Sequence, residues 1–445
     1  MLLILLLFLS VIFIVITAAK FKMHAFLSLL IVAILFGLLS GMELPTILDS
    51  LQKGFGGTLG KIGIVIILGT LIGTFLEKSG GAFSMAESIL KCIGHKRVPL
   101  TMSLVGFVVS IPVFGDSGFI ILSPLNKALT KRAGLSLATT AIALVMGLIA
   151  SHTMVPPTPG PIAAAGILQA DLGRVILFGL PISFAVALLG WVFAIKYASR
   201  IHIDPDPEHT DEQINSLLQE APSAPRAFAP IIIPILLIVL KSVAEYPSDP
   251  LGTGLLMKLF VFIGHPVIAL MIGLGIALTL PKKFDMQMLS GSGWVGHGLQ
   301  QAAIIIMITG AGGAFGKVLE NSGIANIIGK SLAGLSIGLW LPFIVAAAIR
   351  AAQGSATVAI ITTSSIMAPM AGALGLESEN ARALMVLAIG AGSFVASHIN
   401  DSMFWILTQM TNMDVKTGFR LLTFGTILLG FCAAIMIWCV GLFVI

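Results

Sequence analysis

Long apolar runs dominate the chain, separated by short polar segments. Windows near residues 2–18, 24–42, 62–76, 135–151, 175–195, 228–244, 259–280, 300–316, 384–398 and 421–444 are long and apolar enough to cross about 30 Å of hydrocarbon. They are built mostly of Leu, Ile, Ala and Gly without the polar–apolar alternation of barrel strands, so the pattern predicts α-helices. Two further apolar stretches have another form. Residues 99–125 make two arms around Gly115-Asp116-Ser117-Gly118, and residues 338–373 make two arms around Gln353-Gly354-Ser355-Ala356. Arms this short predict re-entrant hairpins, with two ordinary short spans in each case as the alternative.

Composition agrees with a lipid environment. Of 445 residues, 57% are hydrophobic and 10% charged, against roughly 25% charged in soluble domains. A mean hydropathy of +1.04 sets aside soluble enzymes, nucleic-acid binders and secreted disulfide scaffolds. The three cysteines form neither a framework nor a metal-spaced pair. Residues 1–18 lack a basic leader and a small-residue cleavage motif, so they read as a retained span. With ten crossings and two hairpins, sixteen Lys and Arg fall on one side and eight on the other, with Arg350 left in the membrane. The positive-inside rule then predicts a cytoplasmic 196–227 segment and external termini. That segment is polar, acidic and Pro-bearing, as a solvated linker between two halves (1–195 and 228–445) would be.

The halves echo one another. Glu77-Lys78-Ser79-Gly80 recurs as Glu320-Asn321-Ser322-Gly323, the tip at 115–118 as that at 353–356, and Ala150-Ser151-His152 as Ala396-Ser397-His398. Three collinear matches with five crossings per half predict two inverted-topology repeats. That is a secondary-transporter architecture with its site near the bilayer midplane.

Few ionisable groups lie deep in the membrane on this map: Asp116, His152, Arg350, His398 and Asp401. Buried charge costs roughly 2.5–3.5 kcal/mol on the insertion scale, so such residues are functional candidates; a structural salt bridge is the plain alternative. Where helices break at the tips, unpaired N–H groups attract anions. Ser117 and Gly118 open one returning arm, and Ser355, Ala356 and Thr357 the other. Two further breaks follow the Ala-Ser-His runs, one at His152–Pro161 with four prolines in six residues, the other at His398–Ser402. Converging, these four elements predict one site. Its candidate substrate-binding residues are Asp116, Ser117, Gly118, Ser151, His152, Thr158, Arg350, Gly354, Ser355, Thr357, His398 and Asn400. Asp116 and Asp401 are the candidates for a coupling proton, because partial desolvation favours a neutral carboxyl. A sodium site using break carbonyls, Asn400 and Asp401 is the competing reading.

The segments IPVFGDSGFIILSPL (111–125), SHTMVPPTPGPIAAAG (151–166), GSATVAIITT (354–363) and ASHINDSMFW (396–405) resemble the gluconate permease family, the gluconate:proton symporters of the wider ion-transporter group. The resemblance runs through essentially the whole chain. It implies a multi-pass bacterial inner-membrane symporter importing small hydroxy acids with protons and, by analogy with the wider group, a homodimer with an elevator-like motion. Relatives often carry an acid next to an aromatic pair at the first tip, whereas this chain has Phe114-Gly115-Asp116-Ser117-Gly118. That departure leaves the substrate open among aldonates, uronates, short acids and D-serine. The expectation is therefore an all-α polytopic transporter of a hydroxylated monocarboxylate, with no cofactor and no nucleic-acid partner. The rivals are a sodium-coupled carboxylate transporter, a membrane-embedded enzyme and an anion channel.

Overall fold

The computed structural model describes residues 2–94, 97–206, 220–245, 254–324, 327 and 338–445. Residues 207–219 of the expected linker, and Lys96 and Lys330 of the charge count, lie outside that set.

The described first half comprises α1 (Leu2–Ala19), α2 (Ala25–Leu39), α3 (Leu44–Lys78), α4 (Gly81–Ile93), α5 (Val98–Val109), α6 (Gly115–Arg132), α7 (Leu137–Met154), α8 (Pro159–Leu168) and α9 (Leu172–Lys196). The second comprises α10 (Ala224–Ala244), α11 (Leu255–Ile263), α12 (Pro266–Ala277), α13 (Trp294–Asn321), α14 (Trp340–Gln353), α15 (Ala356–Met367), α16 (Glu379–Phe394) and α17 (Ser402–Met410). It ends in α18 (Val415–Val444), which contains one π turn at Phe419–Thr423. Among the described residues six helices are long and apolar enough to span a membrane, and α11 with α12 forms a seventh candidate bent by 63°. The windows at 2–18, 24–42 and 384–398 fall on helices of 18, 15 and 16 residues.

Helix ends follow local chemistry. Proline occupies the first turn of α3, α5, α8, α10 and α12, where its missing N–H has no helical partner to lose. Ser136, Asp171, Ser378 and Asp401 cap α7, α9, α16 and α17 by accepting first-turn N–H groups.

The interior is built by close helix packing. Helices α3 and α13 run antiparallel along each other: Gly54 abuts the backbone at 313–314, and Gly298 abuts Leu71 and Thr74. Both exceed their expected windows, starting at Leu44 and Trp294 instead of 62 and 300. Helices α5 and α7 cross so closely that a Cβ on Gly147 would lie 2.0 Å from Ser103 O. Only small residues permit that approach, a common device between membrane helices.

Several packing pairs occur in both halves. Helix α5 lies on α7 as α14 lies on α16, and α7 on α9 as α16 on α18. Across the halves, α6 touches α17 and α15 touches α8. The hairpins and broken helices of the two halves are thereby interleaved.

The breaks fall slightly away from the expected positions. The first hairpin turns at residues 110–114, and Gly115–Gly118 already form the first turn of α6, with Gly118 N donating to Phe114 O at 2.8 Å. Pro112 supplies no donor there, so the helix cannot continue through it. His152 remains helical, since α7 persists to Met154 and breaks only over 155–158.

Candidate functional site

The second hairpin turns on Gly354, whose φ of +84° is left-handed and which no side chain can replace, because its Cβ would lie 2.0 Å from Asn400 O. This contact seats the second break directly on the hairpin tip. His398 Nε2 and Asn400 Nδ2 both donate to Ala351 O, at 2.7 and 2.9 Å, and hold it there.

Arg350 emerges from the last turn of α14. Its Nε donates to Ser393 O at 2.9 Å, and its Nη2 pairs with Asp401, the two side chains being 3% and 8% exposed. Asp401 also accepts from Ser397 Oγ and from Met403 N (3.3 Å), so one carboxylate caps α17 and neutralises Arg350. Arg350 Nη1 is buried with no hydrogen-bond partner among the described residues, as is His152 Nδ1. From the other half, Asp116 in the first turn of α6 accepts from Ser402 Oγ at the start of α17. That bond joins the two halves at the site.

A cavity of about 560 Å³ occupies the junction, a size common for small-molecule sites. Its wall includes Asp116, Ser117, His152, Arg350, Gly354, Ser355, Thr357, Asn400 and Asp401, so nine of the expected residues converge. Four others do not reach it. Gly118 packs under Leu148, Ser151 donates to Leu148 O at 3.4 Å, Thr158 donates to Val155 O at 2.5 Å, and His398 is spent on Ala351 O while stacking on Phe419.

The wall also holds residues that sequence reasoning did not assign. Ser402 and Met403 come from α17, Phe114 from the first tip, and Gln301, Ile304, Ile305 and Ile308 from α13. The polar pair Gln300-Gln301 opening an apolar run was the available signal for α13. Three helix N-termini, those of α6, α15 and α17, meet at the cavity. First-turn N–H groups lack helical acceptors and carry partial positive charge, so this geometry favours an anion. One wall is thus charged and hydrogen-bonding, and the facing wall is mainly isoleucine. Among the described residues, no cluster of three or more His, Cys, Asp and Glu side chains has the makings of a metal site.

The model of the GntP family permease matches residues 1–443. The chain belongs to the GntP permease family. A gluconate permease of Pseudomonas aeruginosa is 37% identical over 417 residues, covering 92% of this chain and 91% of that protein. The Gnt-II system L-idonate transporter of Escherichia coli is 33% identical, covering 90% of each. Among solved structures, Neisseria gonorrhoeae MtrF superposes with a TM-score of 0.67 over 97% of both chains at 14% identity, a likeness of fold alone. This permease is a multi-pass membrane transporter, and the reading as a membrane-embedded enzyme falls with that membership.

Proposed function

We propose that this permease imports gluconate or a related hydroxylated monocarboxylate with one proton, through two inverted repeats (1–195 and 228–445) joined by a cytoplasmic linker. The observation that carries the reading is the charge balance of the central cavity. Its wall bears two carboxylates, Asp116 and Asp401, and one guanidinium, Arg350. With His152 neutral the ionised wall is net negative, although three helix N-termini point at it. Asp401 is committed to Arg350. Asp116, whose one hydrogen-bond partner among the described residues is the Ser402 hydroxyl, has no cation paired with it among those residues. Protonating Asp116 makes the cavity neutral and lets the helix termini and the Arg350 guanidinium attract a carboxylate. Proton and anion binding then favour each other by linkage.

The hydroxyls of Ser117, Ser355 and Thr357 and the amides of Gln301 and Gln353 supply partners for a polyhydroxylated chain. The isoleucine wall limits its width. Under the topology expected from basic residues, positions 301–308 lie in the cytoplasmic half of α13.

The test is uptake of labelled gluconate by proteoliposomes in sodium-free buffer, with and without an inward proton gradient. Accumulation driven by the gradient, and competed by other aldonates, is expected. Accumulation that appears only when sodium is added would transfer the coupling role to that ion.

A further inference from the structure

A second, larger cavity of about 920 Å³ lies toward the other ends of α13 and α15. On α13 the central cavity uses positions 301–308 and this one positions 313–320. The start of α15 lines the central cavity, and residues 368–373, just beyond its end, line the second. Helix α8, whose end lines the second cavity, packs against α15, with Gly160 under Ile360.

Basic side chains dominate its wall: Lys53 and Lys61 from α3, Lys317 from α13 and Arg382 from α16, against Glu320 and Glu377. Two of these cations are matched, Lys53 with Asp49 at 3.0 Å and Lys317 with Glu320 at 2.8 Å. Lys61 has no ion-pair or hydrogen-bond partner among the described residues, and Arg382 Nε is buried without one. A concave site with low-dielectric walls and a basic excess concentrates anions and raises their rate of arrival by roughly 10- to 1,000-fold. Most of the lining glycines serve close packing, and Gly57 faces open space in the cavity.

We propose that this cavity is an entry site where Lys61 and Arg382 capture a small hydroxylated monocarboxylate before it reaches the central cavity. The two cations come from different halves, so the captured carboxylate bridges the halves at the mouth. The direction rests on the importer reading above and on the topology expected from basic residues, under which Lys53, Lys61, Lys317 and Arg382 all face outward.

Gly57 gives a reporter that does not depend on transport. It lines the cavity, and a Cβ placed on it has no heavy atom within 4 Å. In a background with Cys92, Cys432 and Cys439 replaced by Ala, Gly57→Cys is labelled from outside by thiosulfonates of similar size, one anionic and one cationic, both membrane-impermeant. The anionic reagent should react about tenfold faster. Lys61→Gln with Arg382→Gln should bring the ratio near one, Lys61→Gln alone should lower it part-way, and Lys61→Arg should preserve it. Millimolar gluconate should slow the labelling of Gly57→Cys, but not in the doubly neutralised variant. Equal rates for the two reagents, or no protection by gluconate, would overturn the entry site. Labelling confined to the inner face would overturn its direction. The readings separate cleanly: biased, gluconate-protected labelling without proton-driven uptake keeps the entry site and removes the symport mechanism, and the converse removes only the entry site.

Discussion

Asp116→Asn isolates the proposed proton site with little change of shape. The carboxamide oxygen can still accept from Ser402 Oγ, so the tie between α6 and α17 is kept. What changes is one negative charge. A cavity of about 560 Å³ has the volume of a sphere about 5 Å in radius, which puts a bound carboxylate roughly 5–10 Å from Asp116. At an effective dielectric constant of about 20, repulsion over that span is about 2–3 kcal/mol, or about 20- to 200-fold in affinity. The wild-type KM should therefore climb by that factor as pH rises and Asp116 loses its proton, whereas the variant should bind gluconate independently of pH. Counterflow, in which labelled and unlabelled substrate exchange with no gradient, should survive in Asp116→Asn, and accumulation driven by a proton gradient should disappear. Reconstituted protein assayed from mildly acid to mildly alkaline pH gives both readouts. Retained accumulation, or a KM that rises with pH as steeply as in wild type, would refute the assignment.

Other consequences follow from the same geometry. Arg350→Met strands Asp401 as a buried lone charge and should cost about 3–5 kcal/mol; the double variant Arg350→Met/Asp401→Leu should lose clearly less than the sum of the single changes. Thermal unfolding in detergent measures that cycle, and all three variants should fail to transport. Gly147→Ala forces a Cβ to within 2.0 Å of Ser103 O, so α5 and α7 must separate. Such overpacking costs about 1–3 kcal/mol or more, read as a lower unfolding midpoint and a smaller folded yield. Gln301→Leu removes an amide from the cavity wall and should raise the KM for gluconate about 2- to 12-fold, the worth of one ordinary hydrogen bond, while a short hydroxy acid that does not reach Gln301 is unaffected.

Much of the site was legible because charge in an apolar run is conspicuous. Asp116, His152, Arg350 and Asp401 stood out for that reason, and all four reach one cavity. The actual pairing was not legible: Arg350 to Asp401 and Asp116 to Ser402 are set by how α6, α14 and α17 come together, which no local pattern records. Ile304, Ile305 and Ile308 on α13 read like any lipid-facing positions, and only packing shows that they form a wall. The lower stretch of α3, from Leu44 to Lys61, resembled a loop because Lys53, Gly54, Gly57, Thr58 and Lys61 interrupt its apolarity. It is helical, and those residues line the second cavity. Four expected residues, Gly118, Ser151, Thr158 and His398, are turned to packing or to backbone carbonyls. Ser and Thr in helices commonly satisfy themselves in this way.

The central claim is that one proton neutralises the cavity for each carboxylate carried. The most direct measurement adds gluconate to weakly buffered, sodium-free proteoliposomes with no imposed gradient and follows external pH alongside labelled uptake. The account predicts alkalinisation of the medium by about one proton per gluconate taken up, with an extent of accumulation insensitive to membrane potential because the net transfer is electroneutral. Gluconate entry with no movement of protons, or entry that membrane potential drives, would contradict it.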